Sequence, residues 1–165
     1  MVKKILNYWN TKRPPRIPFT KEGYENVKKE YKQVLEKRPE AVKTLSRARE
    51  LGDLSENGLY KAARANLSML DSRLRHLEML VKNGVVAEKT KEGIVGLGSK
   101  VVIMSGEKTT DFIIVGRFEA DPSKGKISNV SPIGRELIGK REGESINVKT
   151  PKGEIAYKII KIINT

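Results

Sequence analysis

The hydrophobic residues between positions 20 and 50 follow a helical pattern. They recur at alternating spacings of three and four, at Tyr24, Val27, Tyr31 and Val34, then at Ala41 or Val42, Leu45 and Ala48. This spacing is typical of a coiled-coil seam. Arg38 occupies one seam position and Pro39 follows it. Because proline removes a helical hydrogen bond and clashes with the preceding turn, the sequence predicts a kink or short break near Arg38.

A second helix is predicted after a short interruption at residues 51–55. Its seam is unbroken and consists of Tyr60, Ala63, Leu67, Leu70, Leu74, Leu77 and Val81. Asn83 and Gly84 supply a stop. Two arms with so short a connection bury their seams against each other, so residues 19–84 are predicted to form an antiparallel hairpin with its turn at residues 52–55. Arms of about 30 residues would reach roughly 45 Å.

Strand-like patterns replace the helical pattern after Gly84. Runs rich in valine and isoleucine occupy residues 100–104, 111–115, 146–148 and 154–163. Residues 150–153 have the composition of a hairpin turn, and residues 131–139 that of a short helix with a serine cap and an early proline. The predicted fold class is therefore α+β, with a helical hairpin followed by a small antiparallel β domain over residues 85–165.

Composition narrows the possible functions. The chain has no cysteine, which excludes disulfides and thiol catalysis, and it has no apolar run that approaches the length of a membrane span. The net charge of +13 favours polyanionic partners but is also explained by a solvated basic surface. Residues 1–18 carry five basic residues, no acidic residue and three prolines, so a flexible tail is predicted, with an organelle transit peptide as an alternative.

Asp53 and Glu56 stand three positions apart at the predicted start of the second helix. A helix cap explains this spacing fully, since the aspartate accepts a hydrogen bond from an early amide and the glutamate reaches back to the amide of the cap. A second interpretation starts from their place at the tip of a protruding hairpin. Two carboxylates hold magnesium weakly alone and strongly where a partner supplies a phosphate or a further metal. The sequence leaves both interpretations open.

Two separate motifs resemble one protein family. Residues 52–57, with the sequence Gly-Asp-Leu-Ser-Glu-Asn, followed by Tyr60 and Ala62-Ala63-Arg64, are similar to the tip signature of the Gre transcript-cleavage factors. Residues 120–122, 125–128, 131–134 and 137–140 are similar to the carboxy-terminal pattern of that family. The resemblance covers about residues 17–163, and two motifs in the right order are far more specific than either alone.

The resemblance implies a fold, a partner and a mechanism. It implies that the second domain has the fold of FK506-binding prolyl isomerases and docks on bacterial RNA polymerase, while the hairpin enters the secondary channel. Asp53 and Glu56 would then be the catalytic pair and the ligands of a Mg²⁺ ion that is shared with the polymerase and not bound stably by this chain alone. The polymerase would hydrolyse the nascent RNA 3′ end, so the chain itself would not be an enzyme.

The same resemblance assigns supporting residues. Gly52, Ser55 and Asn57 would shape the tip. Asp121, Pro122, Ser131 and Pro132 would contribute to polymerase docking. Four basic residues near the tip, Arg47, Arg49, Lys61 and Arg64, would steer RNA, although helical spacing explains them equally as a solvated face. Gly58 departs from the family pattern and is expected to loosen the first helical turn by about 1 kcal/mol.

Several alternatives remain at this stage. A protein of this architecture would inhibit the polymerase if it filled the channel without stimulating cleavage, although the presence of both carboxylates argues against this. A free-standing prolyl isomerase rests on fold analogy alone. A basic coiled coil that contacts nucleic acid nonspecifically would explain the charge but not the acidic tip. The chain is otherwise expected to be a cytoplasmic monomer with no membrane partner.

Overall fold

The computed structural model describes residues 16–51, 57–150 and 153–164. Within this part the chain divides into two compact units. The first contains residues 25–84 and the second contains residues 17–24 and 85–164. The predicted fold class is confirmed, because helices dominate the first unit and a β-sheet dominates the second.

Two long helices form the first unit. Helix α1 spans Lys21–Glu50, its first turn being grouped with the second unit, and helix α2 spans Gly58–Asn83. Cross-helix contacts join residue 30 to 73, 38 to 71 and 48 to 57, which shows that the helices are antiparallel. The seam is confirmed, because its residues are buried or half-buried; Ala41 is the seam residue and Val42 is exposed. The turn predicted at residues 52–55 lies outside the described residues.

Of the kink or short break that was predicted near Arg38, the structure contradicts the break. Helix α1 is continuous through Pro39, although proline lacks the amide that would bond the carbonyl of Leu35. Arg38 does not bury its side chain in the seam. Its Nε donates a hydrogen bond to Oδ1 of Asp71 on α2 at 2.7 Å, so an ion pair joins the two arms at this level.

The second unit contains a five-stranded sheet. Its strands are β3 (Lys100–Ser105), β4 (Lys108–Val115), β5 (Lys126–Ser128), β6 (Ser145–Thr150) and β7 (Gly153–Ile163), in the order β5-β4-β3-β7-β6. All neighbours are antiparallel except β4 and β5, which are parallel. The four long strands were predicted. The short parallel strand β5 was not.

One face of this sheet forms the core. Val101, Ile103, Ile114, Ile127, Ile146 and Ile159 are buried together with Leu137 from helix α3 (Pro132–Leu137). The predicted short helix is confirmed: Ser131 caps it and Pro132 is its first residue. The helix approaches β5 closely, because a Cβ added at Gly134 would lie 2.1 Å from the carbonyl oxygen of Ser128.

Residues 17–24 belong to the second unit, whereas the sequence divides this stretch between a tail and the hairpin. Strand β1 (Ile17–Phe19) pairs with β2 (Gly84–Val86), and Phe19 is fully buried. A single phenylalanine after a proline-rich segment carries no periodic signal, so the sequence did not indicate this placement.

The start of helix α1 is capped from a distant part of the chain. The hydroxyl of Thr20 accepts a hydrogen bond from the amide of Gly23 at 3.0 Å, as expected for a cap. The carboxylate of Glu119 accepts from the amide of Thr20 at 2.9 Å and from its hydroxyl. Glu119 therefore takes the place of the glutamate that a capping box has at the third helical position, where this chain has Gly23.

Candidate functional site

The predicted acidic tip lies between the ends of the two long helices. Gly52, Asp53, Ser55 and Glu56 are outside the described residues, so their predicted roles stay predictions. The described flanks are Leu51, which follows the last residue of α1, and Asn57, which precedes α2. The structure thus fixes where the connection starts and ends.

Asn57 joins both flanks of this connection. Its side-chain oxygen accepts a hydrogen bond from the amide of Tyr60 at 3.0 Å, so Asn57 is the N-cap of α2. Its side-chain nitrogen donates to the carbonyl oxygen of Ala48 on α1 at 2.9 Å. One interpretation of the sequence was that Asp53 caps the second helix; in the structure Asn57 has that role.

This assignment bears on the two interpretations of the carboxylates. A capping aspartate must directly precede the first helical residue, and α2 begins at Gly58. Capping of α2 therefore does not account for Asp53 and Glu56. The sequence could not separate the candidates, because Asn57 and Asp53 are both good capping residues and the bond of Asn57 to Ala48 depends on the packed hairpin.

The basic residues that were predicted to steer RNA lie on the two arms beside this connection. Arg47 and Arg49 are on the last turn of α1, Lys61 and Arg64 are on the first turns of α2, and all four are exposed. The guanidinium carbon of Arg49 lies 5.8 Å from the ring centroid of Tyr60, within cation–π range. Their exposure is expected both for residues that steer RNA and for residues of a solvated helix face, so both interpretations stay open.

An apolar hollow accompanies these basic residues and was missed in the sequence. It is lined by five apolar residues and three polar ones, namely Ala48, Leu51, Leu59, Ala62 and Ala63, and Thr44, Arg47 and Asn66. Leu51 and Leu59 leave 68% and 66% of their surface exposed. Both leucines lie off the predicted seam, and an apolar residue off the seam was the available signal for this surface.

Asp121 and Pro122, assigned to docking, open a short 3₁₀ helix that spans Pro122–Lys124. The carboxylate of Asp121 accepts a hydrogen bond from the hydroxyl of Ser123 at 2.5 Å and contacts Nζ of Lys124 at 3.1 Å. The Ser123 hydrogen bond, followed by that of Lys124, lowers the pKa of Asp121 below its usual value. Asp121 thus keeps its negative charge at an exposed turn.

Ser131 and Pro132 lie at the other end of β5. The hydroxyl of Ser131 accepts from the amide of Gly134 at 3.1 Å and donates to the carbonyl oxygen of Ser128 at 2.7 Å. At the opposite end of the strand, the amide of Asp121 donates to the carbonyl of Lys126 at 2.9 Å. The structure therefore places the two predicted docking pairs at the two ends of β5.

Residues 16–51, 57–150 and 153–164 contain no helix that combines the length and the apolar composition of a membrane span. They also contain no group of three or more histidine, aspartate or glutamate residues arranged to hold a metal ion. Asp53 and Glu56 are not among them, so the predicted magnesium ligands remain a prediction.

Comparison with known proteins gives a consistent result for both units. The family described as "Transcription elongation factor, N-terminal" matches residues 17–86, and the family described as "Transcription elongation factor, GreA/GreB, C-term" matches residues 89–164. The two matches cover the hairpin and the β domain in turn, in the order in which the resemblance places them.

Individual relatives extend over most of the chain. The transcription elongation factor GreA of Geobacillus kaustophilus is 42% identical over 153 residues, which are 89% of this chain and 96% of that protein. GreA of Thermomicrobium roseum is 39% identical over 151 residues, which are 89% and 97% of the two chains. Among solved structures, GreA factor homolog 1 of Thermus thermophilus is 28% identical, with a TM-score of 0.44 and coverage of 90% and 99%.

Proposed function

The chain belongs to the GreA/GreB family of transcription elongation factors, and from this premise we propose that it binds bacterial RNA polymerase and stimulates cleavage of the transcript. The hairpin enters the secondary channel and reaches the 3′ end of backtracked RNA. The β domain docks at the channel mouth through the residues beside β5. The protein acts in the cytoplasm and is not itself the enzyme.

One observation carries this proposal: Asn57 caps α2. If Asp53 and Glu56 were present only to cap that helix, they would be redundant with Asn57. Two carboxylates that are not needed to cap α2, between the ends of two long helices, are suited to bind a cation. Carboxylate oxygens are the ligands that Mg²⁺ prefers, and two of them leave most of its six positions for a partner and for water.

In the proposed mechanism, Asp53 and Glu56 supply two oxygen ligands in the polymerase active centre. Mg²⁺ bound there would neutralise phosphate charge and favour a nucleophilic water. The residues of this chain position the pair: Asn57 holds the end of α1 to the start of α2 through Ala48 and Tyr60. The exposed guanidinium and ammonium groups of Arg47, Arg49, Lys61 and Arg64 raise the local concentration of RNA phosphates.

The decisive experiment uses backtracked complexes of bacterial RNA polymerase with RNA labelled at its 3′ end. The intact protein should accelerate release of short 3′ fragments. Asp53→Asn and Glu56→Gln keep the size of each side chain and remove its charge, so each should reduce cleavage by at least about tenfold, as for loss of one ligand that acts in the transition state. Polymerase binding, measured separately by competition, should stay close to that of the parent.

Glu50→Gln is the matched control, because Glu50 is an exposed carboxylate at the end of α1. It should leave cleavage unchanged. Normal cleavage by Asp53→Asn, with binding confirmed and at limiting magnesium, would remove Asp53 from the mechanism. Tight binding of the parent protein without any cleavage would instead favour the channel-binding inhibitor.

A further inference from the structure

The five-stranded sheet has a second face that does not belong to the core. Side chains alternate along a strand, so Lys100, Val102 and Met104 of β3 point away from the face that buries Val101 and Ile103. The strand registers place lysines from the neighbouring strands on the same face, which we call the outer face. Its lysines are Lys100, Lys126, Lys149, Lys158 and Lys161.

A β-bulge brings two of these lysines together. Lys158 and Lys161 are three residues apart, so in a regular strand they would point to opposite faces. In β7 the register shifts between the partners of Val102 and Ile103: Lys158 lies opposite Met104, and Lys161 lies opposite Val102. Because Met104 and Val102 share the outer face, both lysines do so too. Two paired positions correspond to a separation of about 7 Å along the strand.

Three of the five lysines of this face have an acidic side chain beside or opposite them. Nζ of Lys100 lies 2.8 Å from Asp111, Nζ of Lys126 lies 3.8 Å from Glu22, and Lys149 is directly opposite Glu154. By contrast, the cross-strand neighbours of Lys158 and Lys161 are neutral.

Those neutral neighbours are Met104 and Ser145 beside Lys158, and Val102 beside Lys161. Both lysines are exposed. The carboxylate of Glu142 lies beside this part of β7, where its Oε1 accepts a hydrogen bond from the amide of Ile162 at 2.6 Å. The bulge therefore places two lysines with neutral cross-strand neighbours at one part of the outer face.

The types of residue on the outer face indicate which kind of anionic partner it suits. None of the outward positions that the four pairings of the five strands define is an arginine or an aromatic residue. Protein interfaces are anchored by such residues and are poor in lysine. Single-stranded nucleic acids are held largely by aromatic stacking. Lysines without either anchor suit the phosphate backbone of a duplex, which needs only positive charge and is bound without regard to sequence.

We propose that the outer face, through Lys158 and Lys161, binds the phosphate backbone of double-stranded DNA. This contact is weak, independent of sequence and independent of the hairpin. It would hold the factor near the template before or during its work on the polymerase. It also gives part of the net charge of +13 a role that the acidic tip does not explain.

The test measures binding of the full chain, without polymerase, to a fluorescent DNA duplex of mixed sequence at several salt concentrations. Lys158→Gln/Lys161→Gln should weaken binding at least about tenfold at low salt and should reduce the slope of log affinity against log salt by roughly 1.8, about 0.9 for each lost phosphate contact. Circular dichroism verifies that the variant is folded.

The matched control is Lys32→Gln/Lys43→Gln, which removes the same charge at exposed positions of α1. It should leave the salt slope unchanged. Equal losses in both variants would show that net charge alone drives binding and would overturn the proposal. A loss confined to single-stranded RNA, run as a parallel arm, would overturn it as well. Since no polymerase is present, neither result depends on whether the protein stimulates cleavage.

Discussion

At the scale of single residues, the side chain of Asn57 makes two hydrogen bonds, and only one of them could be predicted from the sequence. It caps α2 through the amide of Tyr60, and it ties α2 to α1 through the carbonyl of Ala48. The first task is visible in the sequence as a good capping residue before a helix. The second is not, because it depends on how the two arms meet. The sequence alone therefore could not decide between Asn57 and Asp53 as the cap.

Substitution of Asn57 should separate these two tasks. Asn57→Ala removes both bonds and should lower the free energy of unfolding by about 2 kcal/mol, about 1 for the cap and about 1 for the bond to Ala48. Asn57→Asp keeps the capping oxygen and loses the donor, so it should cost about half as much. Urea denaturation followed by circular dichroism measures both. Equal stability of the aspartate variant and the parent would show that the Ala48 bond contributes nothing.

Gly23 gives a second prediction at this scale. A Cβ there would lie 1.8 Å from Oε2 of Glu119, the carboxylate that accepts from Thr20. Gly23→Ala should therefore destabilise the protein by about 1–3 kcal/mol, despite the better helix propensity of alanine, because the charged hydrogen bonds are displaced. In a Glu119→Ala background the same change should become neutral or stabilising. A double-mutant cycle without this reversal would contradict the assignment of Glu119 as the distant member of the cap.

At the scale of elements, helix α1 shows what periodicity predicts and what it does not. The seam was predicted residue by residue, because burial repeats along the packed face of a helix. The continuity of the helix through Pro39 was not predicted, because it depends on contacts that a proline alone does not reveal. These contacts are chiefly those of the buried seam, which includes Ala41, Ala48 and Leu77, because exposed ion pairs such as Arg38–Asp71 contribute little. Packing across the hairpin therefore outweighs the local cost of the proline.

Pro39→Ala should restore the missing amide donor to the carbonyl of Leu35. Since Pro39 is exposed and lies inside a 30-residue helix, the free energy of unfolding should rise by up to about 3 kcal/mol. Thermal unfolding at 222 nm measures the change, and Glu40→Ala on the same exposed surface is the control. A lower melting temperature for Pro39→Ala would indicate that the arms need the local distortion that proline imposes.

The Arg38–Asp71 pair predicts how the stability of the hairpin depends on pH. The hydrogen bond from Arg38 lowers the pKa of Asp71 below its ordinary value of 3.8. A carboxylate whose pKa is lower in the folded state stabilises the fold above its unfolded pKa, and this contribution disappears as the pH falls through the folded pKa. Asp71→Asn should therefore be less stable than the parent at pH 7, by a small amount because the pair is partly exposed.

The difference between Asp71→Asn and the parent should shrink as the pH falls below 3.8. Melting temperatures measured from neutral pH to about pH 2.5 would show the two curves converging. Parallel curves over the whole range would mean that the pair does not contribute to folding. Asp111→Asn, which breaks an ion pair in the other unit, shows whether the effect belongs to the hairpin.

In the sheet, the long strands could be predicted from the sequence, whereas the short strand β5 and the bulge in β7 could not. The four strands of six or more residues carry enough valine and isoleucine to be found by pattern alone. Strand β5 has three residues and pairs in parallel with β4, a pairing that requires the intervening turn and 3₁₀ helix. Likewise, the bulge in β7 follows from the pairing with β3 and not from any residue type. Short elements and registers are fixed by tertiary contacts.

At the scale of the whole molecule, the division into two units was anticipated but its N-terminal border was not. Prolines and unbalanced charge made residues 1–18 look like a tail. In the structure, Ile17–Phe19 form a strand of the second unit. The ring of Phe19 is fully buried, with ring centroids of Tyr24 and Phe118 at 5.8 and 6.5 Å. A fully buried core residue can thus directly follow a proline-rich segment that has no hydrophobic periodicity.

Two truncations should locate this border in solution. Deletion of residues 1–15 should leave the melting temperature nearly unchanged, because their prolines and like charges give little to bury. Deletion of residues 1–19 also removes β1 and Phe19, so it should destabilise the second unit strongly. Phe19→Ala in the full chain isolates the ring and should cost about 3–5 kcal/mol, as for other buried phenylalanines. If the shorter deletion were as damaging as the longer one, residues 1–15 would have a place in the fold. If neither deletion lowered the melting temperature, β1 and Phe19 would not stabilise the β domain. The tail would then extend to residue 18, as the sequence predicted.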